Sequence, residues 1–174
     1  YYLEFIKGKG KALPPEKFIE VKLREAFEKN PLVSEQKYRG ELERAEVRDM
    51  LLWVLEKEVE RLETSDLKPA FVEFKFGFGE DSGAPALTVK TDAKELKIEG
   101  KIDRVDTDKE KTLGLVIDYK RTARFDRSAL ELGTALQLPL YILAVEKHLG
   151  LKPVGGQLYS LKDGRPSGFY NGTE

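Results

Sequence analysis

The stretch from Gly100 to Lys120, GKIDRVDTDKEKTLGLVIDYK, decides how this chain is read. Leu113-Gly114-Leu115-Val116-Ile117 is an unbroken apolar run that ends on Asp118-Tyr119-Lys120. Such a run reads as a central strand covered on both faces. Asp106 to Thr112 is polar turn chemistry, and a strand is expected before it, from about Glu95 to Asp106. A hairpin centred between Glu110 and Lys111 sets Asp103 opposite Asp118. Opposed residues carry Cβ atoms ~4.5–5.5 Å apart, and like charges placed so are destabilising. Their mutual repulsion is expected to raise the pKa of at least one of the two. A divalent cation between the carboxylates is the simplest remedy, and carboxylate oxygens with waters suit Mg²⁺. The alternative is a hairpin whose charges are simply neutralised by Arg104 or Lys120. Acid-x-Lys is uninformative by itself, since it occurs eight times here. At the end of a buried strand, however, Asp118 and Lys120 share a face and need partners or a metal.

Upstream, two helices are expected. The first opens at Pro14-Pro15, carries Phe18, Ile19, Leu23, Ala26 and Phe27 on one stripe, and stops at Asn30-Pro31. The second runs from about Gly40 to Leu62, with Leu52, Leu55, Val59 and Leu62 at spacings of three and four. After Lys68-Pro69 the period changes to two. Val72, Phe74, Phe76 and Phe78 form the aromatic face of a strand, with Phe71, Glu73 and Lys75 on the other. Glu73 is therefore either a third carboxylate near the metal or a solvated residue. A short strand follows the turn 79–85, at Ala86 to Lys90.

Downstream, Ser128 to Leu149 reads as one long, largely buried helix kinked by Pro139. Gln137 and Tyr141 share a face of it and need hydrogen-bond partners. They either buttress the acidic site or touch a nucleic-acid strand. His148 reads as a residue near the helix C-terminal dipole. A last strand is expected at Gln157 to Leu161, before a hairpin turn at Lys162-Asp163-Gly164. The order predicts an α/β or α+β fold, a mixed central sheet flanked by helices, without a linker that splits the chain.

Composition narrows the function. The 174 residues are 40% hydrophobic and 35% charged, too apolar for a disordered chain. There is no cysteine, which excludes disulfides, thiolate zinc sites, an iron–sulfur cluster held by this chain and a cysteine nucleophile. One histidine excludes a multi-histidine metal site. No run approaches a membrane span and no signal peptide is visible, so a cytoplasmic protein is expected. The ends, Tyr1-Tyr2 and Gly172-Thr173-Glu174, lead us to expect a piece of a larger protein. Thirty basic and thirty-one acidic residues leave a net charge of −1, so any DNA contact must come from a local patch. Arg104, Arg121, Arg124 and Arg127, beside Phe125, provide one suited to phosphates and stacking.

Taken together, the segments GKIDRVD, IDYK and QLPLY resemble the RecB-family nuclease domain of the PD-(D/E)XK superfamily, the group of the C-terminal AddB and RecB modules and of Cas4. The resemblance covers about Pro69 to Leu161, leaving residues 1–66 as a helical part of one nuclease domain. It implies a restriction-endonuclease-like core, with Asp103 and Asp118 as metal ligands, Lys120 as the catalytic lysine, Glu73 at an acidic position, and Gln137 and Tyr141 as the Q-x-x-x-Y pair. It implies a DNase that uses Mg²⁺ or Mn²⁺ on DNA, with a single-stranded end as the expected substrate and a helicase as attached partner. The early-helix histidine of many members has no counterpart here, which supports an alternative, a catalytically silent domain that binds DNA or another protein of the same assembly. A metal-free carboxylate-pair glycosidase accommodates Lys120 poorly.

Overall fold

A computed structural model of the chain describes residues 16–29, 37–92 and 94–170, with the side chains of 16–18 and 37–39 excepted. The chain divides into two compact units, Tyr1–Ser65 and Asp66–Glu174. The first holds α1 (Glu16–Lys29) and α2 (Lys37–Thr64). Ile19 and Leu55, both on the expected apolar stripes, are buried. Glu58 is buried as well, and Arg61 Nη2 donates to its Oε1 at 2.6 Å, one helical turn away. The expected start at Pro14-Pro15 and stop at Asn30-Pro31 lie outside the described residues.

The second unit is built on a five-stranded mixed sheet. Its strands are β1 (Lys68–Phe76), β4 (Gly100–Thr107), β5 (Leu113–Lys120), β6 (Lys152–Ser160) and β7 (Pro166–Tyr170), in the spatial order β1-β4-β5-β6-β7. Only the β5–β6 pair is parallel; the others are antiparallel. A second sheet consists of β2 (Leu87–Lys90) against β3 (Glu95–Ile98). This corrects the single strand expected over Glu95 to Asp106: the chain leaves one sheet at Ile98 and enters the other at Gly100. A Cβ on Gly100 would lie 2.6 Å from Phe76 Cζ and 3.2 Å from Tyr141 Cε1, so only glycine lets the strand begin there. Strand β7 has no counterpart in the sequence reading beyond the turn that leads into it.

The β4–β5 hairpin has the expected register, with Arg104 against Ile117 and Val105 against Val116. Its turn is organised by Asp108, whose Oδ1 accepts the amides of Thr112 and Leu113, both at 2.7 Å. Strand β1 departs from simple alternation. Glu73 has a φ of 56°, in the left-handed region, and this interrupts the extended repeat on which a period of two rests. Of the expected aromatic face only Phe76 is buried; Phe78 lies beyond the strand end, exposed.

The long helix expected over Ser128 to Leu149 is two helices, α3 (Arg127–Glu131) and α4 (Gln137–Ala144), followed by a π turn over Val145–Leu149. Gly133, at φ 70°, reverses the chain between them, and Ala129 O accepts the amides of both Thr134 and Ala135. Pro139 then falls in the first turn of α4, where amides have no intrahelical partner, so no backbone bond is lost and the expected kink has no cause. Leu138, Ala144 and Val145 pack with Phe76, Ile102, Val105 and Val116 to form the core between this segment and the sheet.

Candidate active site

The carboxylates and the lysine come together where β4 and β5 part. The β4–β5 register puts Asp103, Val116, Asp118 and Lys120 on one face and Arg104, Asp106, Ile117 and Tyr119 on the other. Asp103 is half-buried, and its Oδ2 accepts the amide of Tyr119 at 2.9 Å. Asp118 is only 2% exposed. Its Oδ1 accepts from Gln137 Nε2 at 3.2 Å, and the same Nε2 lies 3.2 Å from Tyr141 Oη. Its Oδ2 meets the Lys120 ammonium at 2.7 Å.

Burial pushes the Asp118 carboxyl above the usual carboxylate range; Lys120 pulls it back, and the Asp103 charge adds a smaller push upward. The repulsion expected from the sequence is therefore present, but desolvation dominates it.

The Q-x-x-x-Y pair reaches the site because α4 begins at Gln137, which puts the amide at the helix start, over the end of β5. Tyr141, one turn on, packs edge-on against Phe76 with ring centres 6.3 Å apart. Glu73 falls opposite Asp103 by the β1–β4 register, between Val72/Arg104 and Phe74/Ile102. Its side chain is exposed and pairs with Lys101, Nζ to Oε2 2.5 Å, which holds the Lys101 ammonium above the ordinary lysine range.

Of the four arginines expected to contact DNA, Arg104 is corrected by the structure. It is 1% exposed, forked onto Asp106 through Nε to Oδ1 and Nη2 to Oδ2, and donates from Nη1 to Tyr119 Oη at 2.8 Å. A guanidinium so placed cannot meet a phosphate. Arg121, Arg124 and Arg127 are exposed; Arg127 pairs with Glu131 at 3.0 Å. His148 lies in the last turn of Val145–Leu149, before the Gly150 cap, as expected. Its Nε2 is buried without a hydrogen-bond partner, and its ring centre is 5.9 Å from that of Phe76. Burial, then Lys147, push its pKa down. Sequence reasoning passed over Tyr119, although its position between Asp118 and Lys120 was a signal: the residue between two that face one way must face the other.

The acidic pair and the lysine thus stand at the parting of two central strands of a mixed sheet. The sequence pattern of the PD-(D/E)XK nuclease superfamily matches residues 4–170, and the chain belongs to that superfamily. Among its relatives is one of the subunits of the ATP-dependent helicase/deoxyribonuclease of Leuconostoc citreum (strain KM20), 35% identical over 98 residues, 53% of this chain and 8% of that protein. Its counterpart of the same name from Pediococcus pentosaceus (strain ATCC 25745 / CCUG 21536 / LMG 10740 / 183-1w) is 38% identical over 95 residues, 51% of this chain. The chain spans 8% of the length of each.

Nucleases of this superfamily generally use divalent metal ions. The residues present fit one: Asp118 Oδ2 is a buried carboxylate oxygen beside the Lys120 ammonium, Asp103 Oδ1 accepts no hydrogen bond among the described residues, and both are hard oxygen ligands. No third carboxylate or histidine joins them among the described residues, so the remaining ligands of an ion held there would be waters or substrate oxygens.

Proposed function

We propose that this chain is a metal-dependent deoxyribonuclease domain that hydrolyses phosphodiester bonds as part of a larger helicase–nuclease acting in DNA repair or recombination. The observation that carries the reading is the juxtaposition of Asp103, Asp118 and Lys120 on one face, with the buried Asp118 Oδ2 2.7 Å from the Lys120 ammonium. Asp103 and Asp118 would hold Mg²⁺ or Mn²⁺. Bound there, the ion would supply Lewis-acid stabilisation of developing charge and a more acidic water.

Each protein group has a distinct part. The Tyr119 amide holds Asp103, and Gln137 holds the Asp118 carboxylate through Oδ1. Lys120, still 41% exposed at its side chain, reaches both Asp118 and the solvent side of the site. Its ammonium can orient the attacking water or offset charge on a phosphate oxygen. Arg121, Arg124 and Arg127 would bind backbone phosphates of a DNA strand with a free single-stranded end. The helicase/deoxyribonuclease names of the relatives support a helicase as attached partner. No helix among the described residues is long and apolar enough to cross a membrane, and a cytoplasmic location suits a DNA substrate.

The Lys120 contact itself favours a second reading: a lysine 2.7 Å from Oδ2 can serve as a permanent counterion in a silent domain that only binds DNA or another protein of the same assembly. Incubation of labelled single-stranded and duplex DNA with the protein, Mg²⁺ and Mn²⁺ separates the two. Metal-dependent cleavage lost in Asp118→Asn supports the nuclease; binding without cleavage under every condition supports the silent domain.

A further inference from the structure

The buried pair Arg104 and Asp106 faces away from the proposed chemistry, yet is tied to it through one residue. The β4–β5 ladder runs from Thr107/Gly114 up to Arg104/Ile117, and its pairing ends there. Beyond that point side-chain bonds from β4 reach Tyr119 on both faces of the sheet. On the carboxylate face, Asp103 Oδ2 takes the Tyr119 amide at 2.9 Å; on the opposite face, Arg104 Nη1 donates to Tyr119 Oη at 2.8 Å. Neighbouring residues of one strand thus grip one residue of the other, from its backbone and from its ring. The ring is also packed edge-on against Tyr159, with centres 5.6 Å apart. Arg104 is fixed in turn by its fork onto Asp106, which is wholly buried. Tyr119 is the residue between Asp118 and Lys120.

We infer that Arg104, Asp106 and Tyr119 form a brace through the sheet that positions the metal-ligating carboxylates: Asp106 aims Arg104, Arg104 holds the Tyr119 hydroxyl, and the Tyr119 amide holds Asp103. The inference deepens the nuclease reading and rests on it for the identity of the ligands. These are positioning residues, since none of the three side chains faces the site. The physical need is plain. Two carboxylates that must converge on one cation stand where the ladder has ended, and a planar guanidinium with a fork geometry is suited to replace the missing ladder bonds with a rigid one. Groups behind metal ligands commonly contribute about 10–100-fold to affinity or activity.

Tyr119→Phe is the cleanest test, because it keeps the ring against Tyr159 and removes only the hydroxyl. Three readouts are compared with wild type: the Mn²⁺ concentration that gives half of the metal-induced rise in melting temperature, the kcat and KM for DNA cleavage, and hydrogen exchange of the amide at position 119. The brace predicts a half-saturating Mn²⁺ concentration raised about tenfold or more, a lower kcat at unchanged KM, and a faster-exchanging amide, with the metal-free melting temperature nearly unchanged. A wild-type Mn²⁺ midpoint in the variant overturns the inference, whatever the amide does. If wild type itself neither binds Mn²⁺ nor cleaves DNA, the nuclease reading has failed, and amide exchange alone decides the brace: acceleration in Tyr119→Phe upholds it, and a wild-type rate overturns it.

Discussion

Asp118 and Lys120 carry opposed demands, and two substitutions separate them. Burial is the main reason that the Asp118 carboxyl is pushed upward, so ionising it costs more there than in water. Asp118→Asn removes that charge and keeps the shape. The variant is expected to be at least as stable as wild type at neutral pH, while the rise in melting temperature on adding Mg²⁺ or Mn²⁺, which reflects binding to the folded state alone, disappears. Thermal scans with and without metal check both halves; a retained metal response would remove Asp118 from the ligand set. Lys120→Ala leaves both carboxylates in place and deletes a cation 2.7 Å from one of them. Metal should still stabilise the variant, because a positive neighbour of the site is gone. Cleavage should fall by about 10²–10³, the usual cost of one lost electrostatic contact to developing charge. Parallel melting and cleavage measurements on this one protein distinguish a lysine that acts on substrate from one that merely neutralises Asp118.

At the scale of elements, the turn that aligns the hairpin has its own titration. Asp108 accepts the Leu113 and Thr112 amides and the Thr112 hydroxyl, and these bonds hold its carboxyl below the usual aspartate range, the Leu113 amide most strongly. A depressed folded-state pKa means stability that is complete above the unfolded value of about 3.9 and is lost as pH falls through the folded value. Asp108→Ala should therefore lower the melting temperature at pH 7, and the gap from wild type should close as pH drops below about 4; a pH-independent gap would mean that the charge is irrelevant. The same hairpin was the most legible part of the chain, because a polar turn between an apolar run and an alternating strand leaves one centre. The break at residues 132–136 was illegible for a physical reason. Leu132 and Leu136, four apart, continue a helical spacing, yet Leu132 is 79% exposed while Leu138 is buried, so the same residue type sits on opposite sides of a reversal that only Gly133 signals. Leu138→Ala should cost about 2–5 kcal/mol by leaving a cavity under α4, and it should loosen Gln137, the preceding residue; chemical denaturation gives the first number. Arg104 was misread because charge in a sequence suggests a surface. The partner that buries it, Asp106, stands two residues away on the same face of the strand, a spacing from which such a pair is readable.

For the molecule as a whole, a net charge of −1 leaves no general attraction to DNA, so binding must rest on where the cations stand. Arg121 and Arg124 are exposed and make no ion pair among the described residues; Arg127 is exposed but shared with Glu131; Arg104 is buried. The four arginines that look alike in the sequence should therefore contribute unequally. Each phosphate neutralised steepens the salt dependence of binding, by about 0.7 in the log–log slope for single strands and about 0.9 for duplex. Arg121→Ala and Arg124→Ala should each flatten the slope by close to that amount. Arg127→Ala should flatten it less, because the free protein already supplies a counter-charge at 3.0 Å. The experiment is a titration of labelled single-stranded DNA across a salt series with Ca²⁺ in place of Mg²⁺, so that binding is read without turnover. Equal flattening by all three variants would mean that Glu131 releases Arg127 at no cost. No flattening by any of them would move the DNA path away from the 121–127 segment, toward other exposed cations such as Lys101, Lys162 and Arg165.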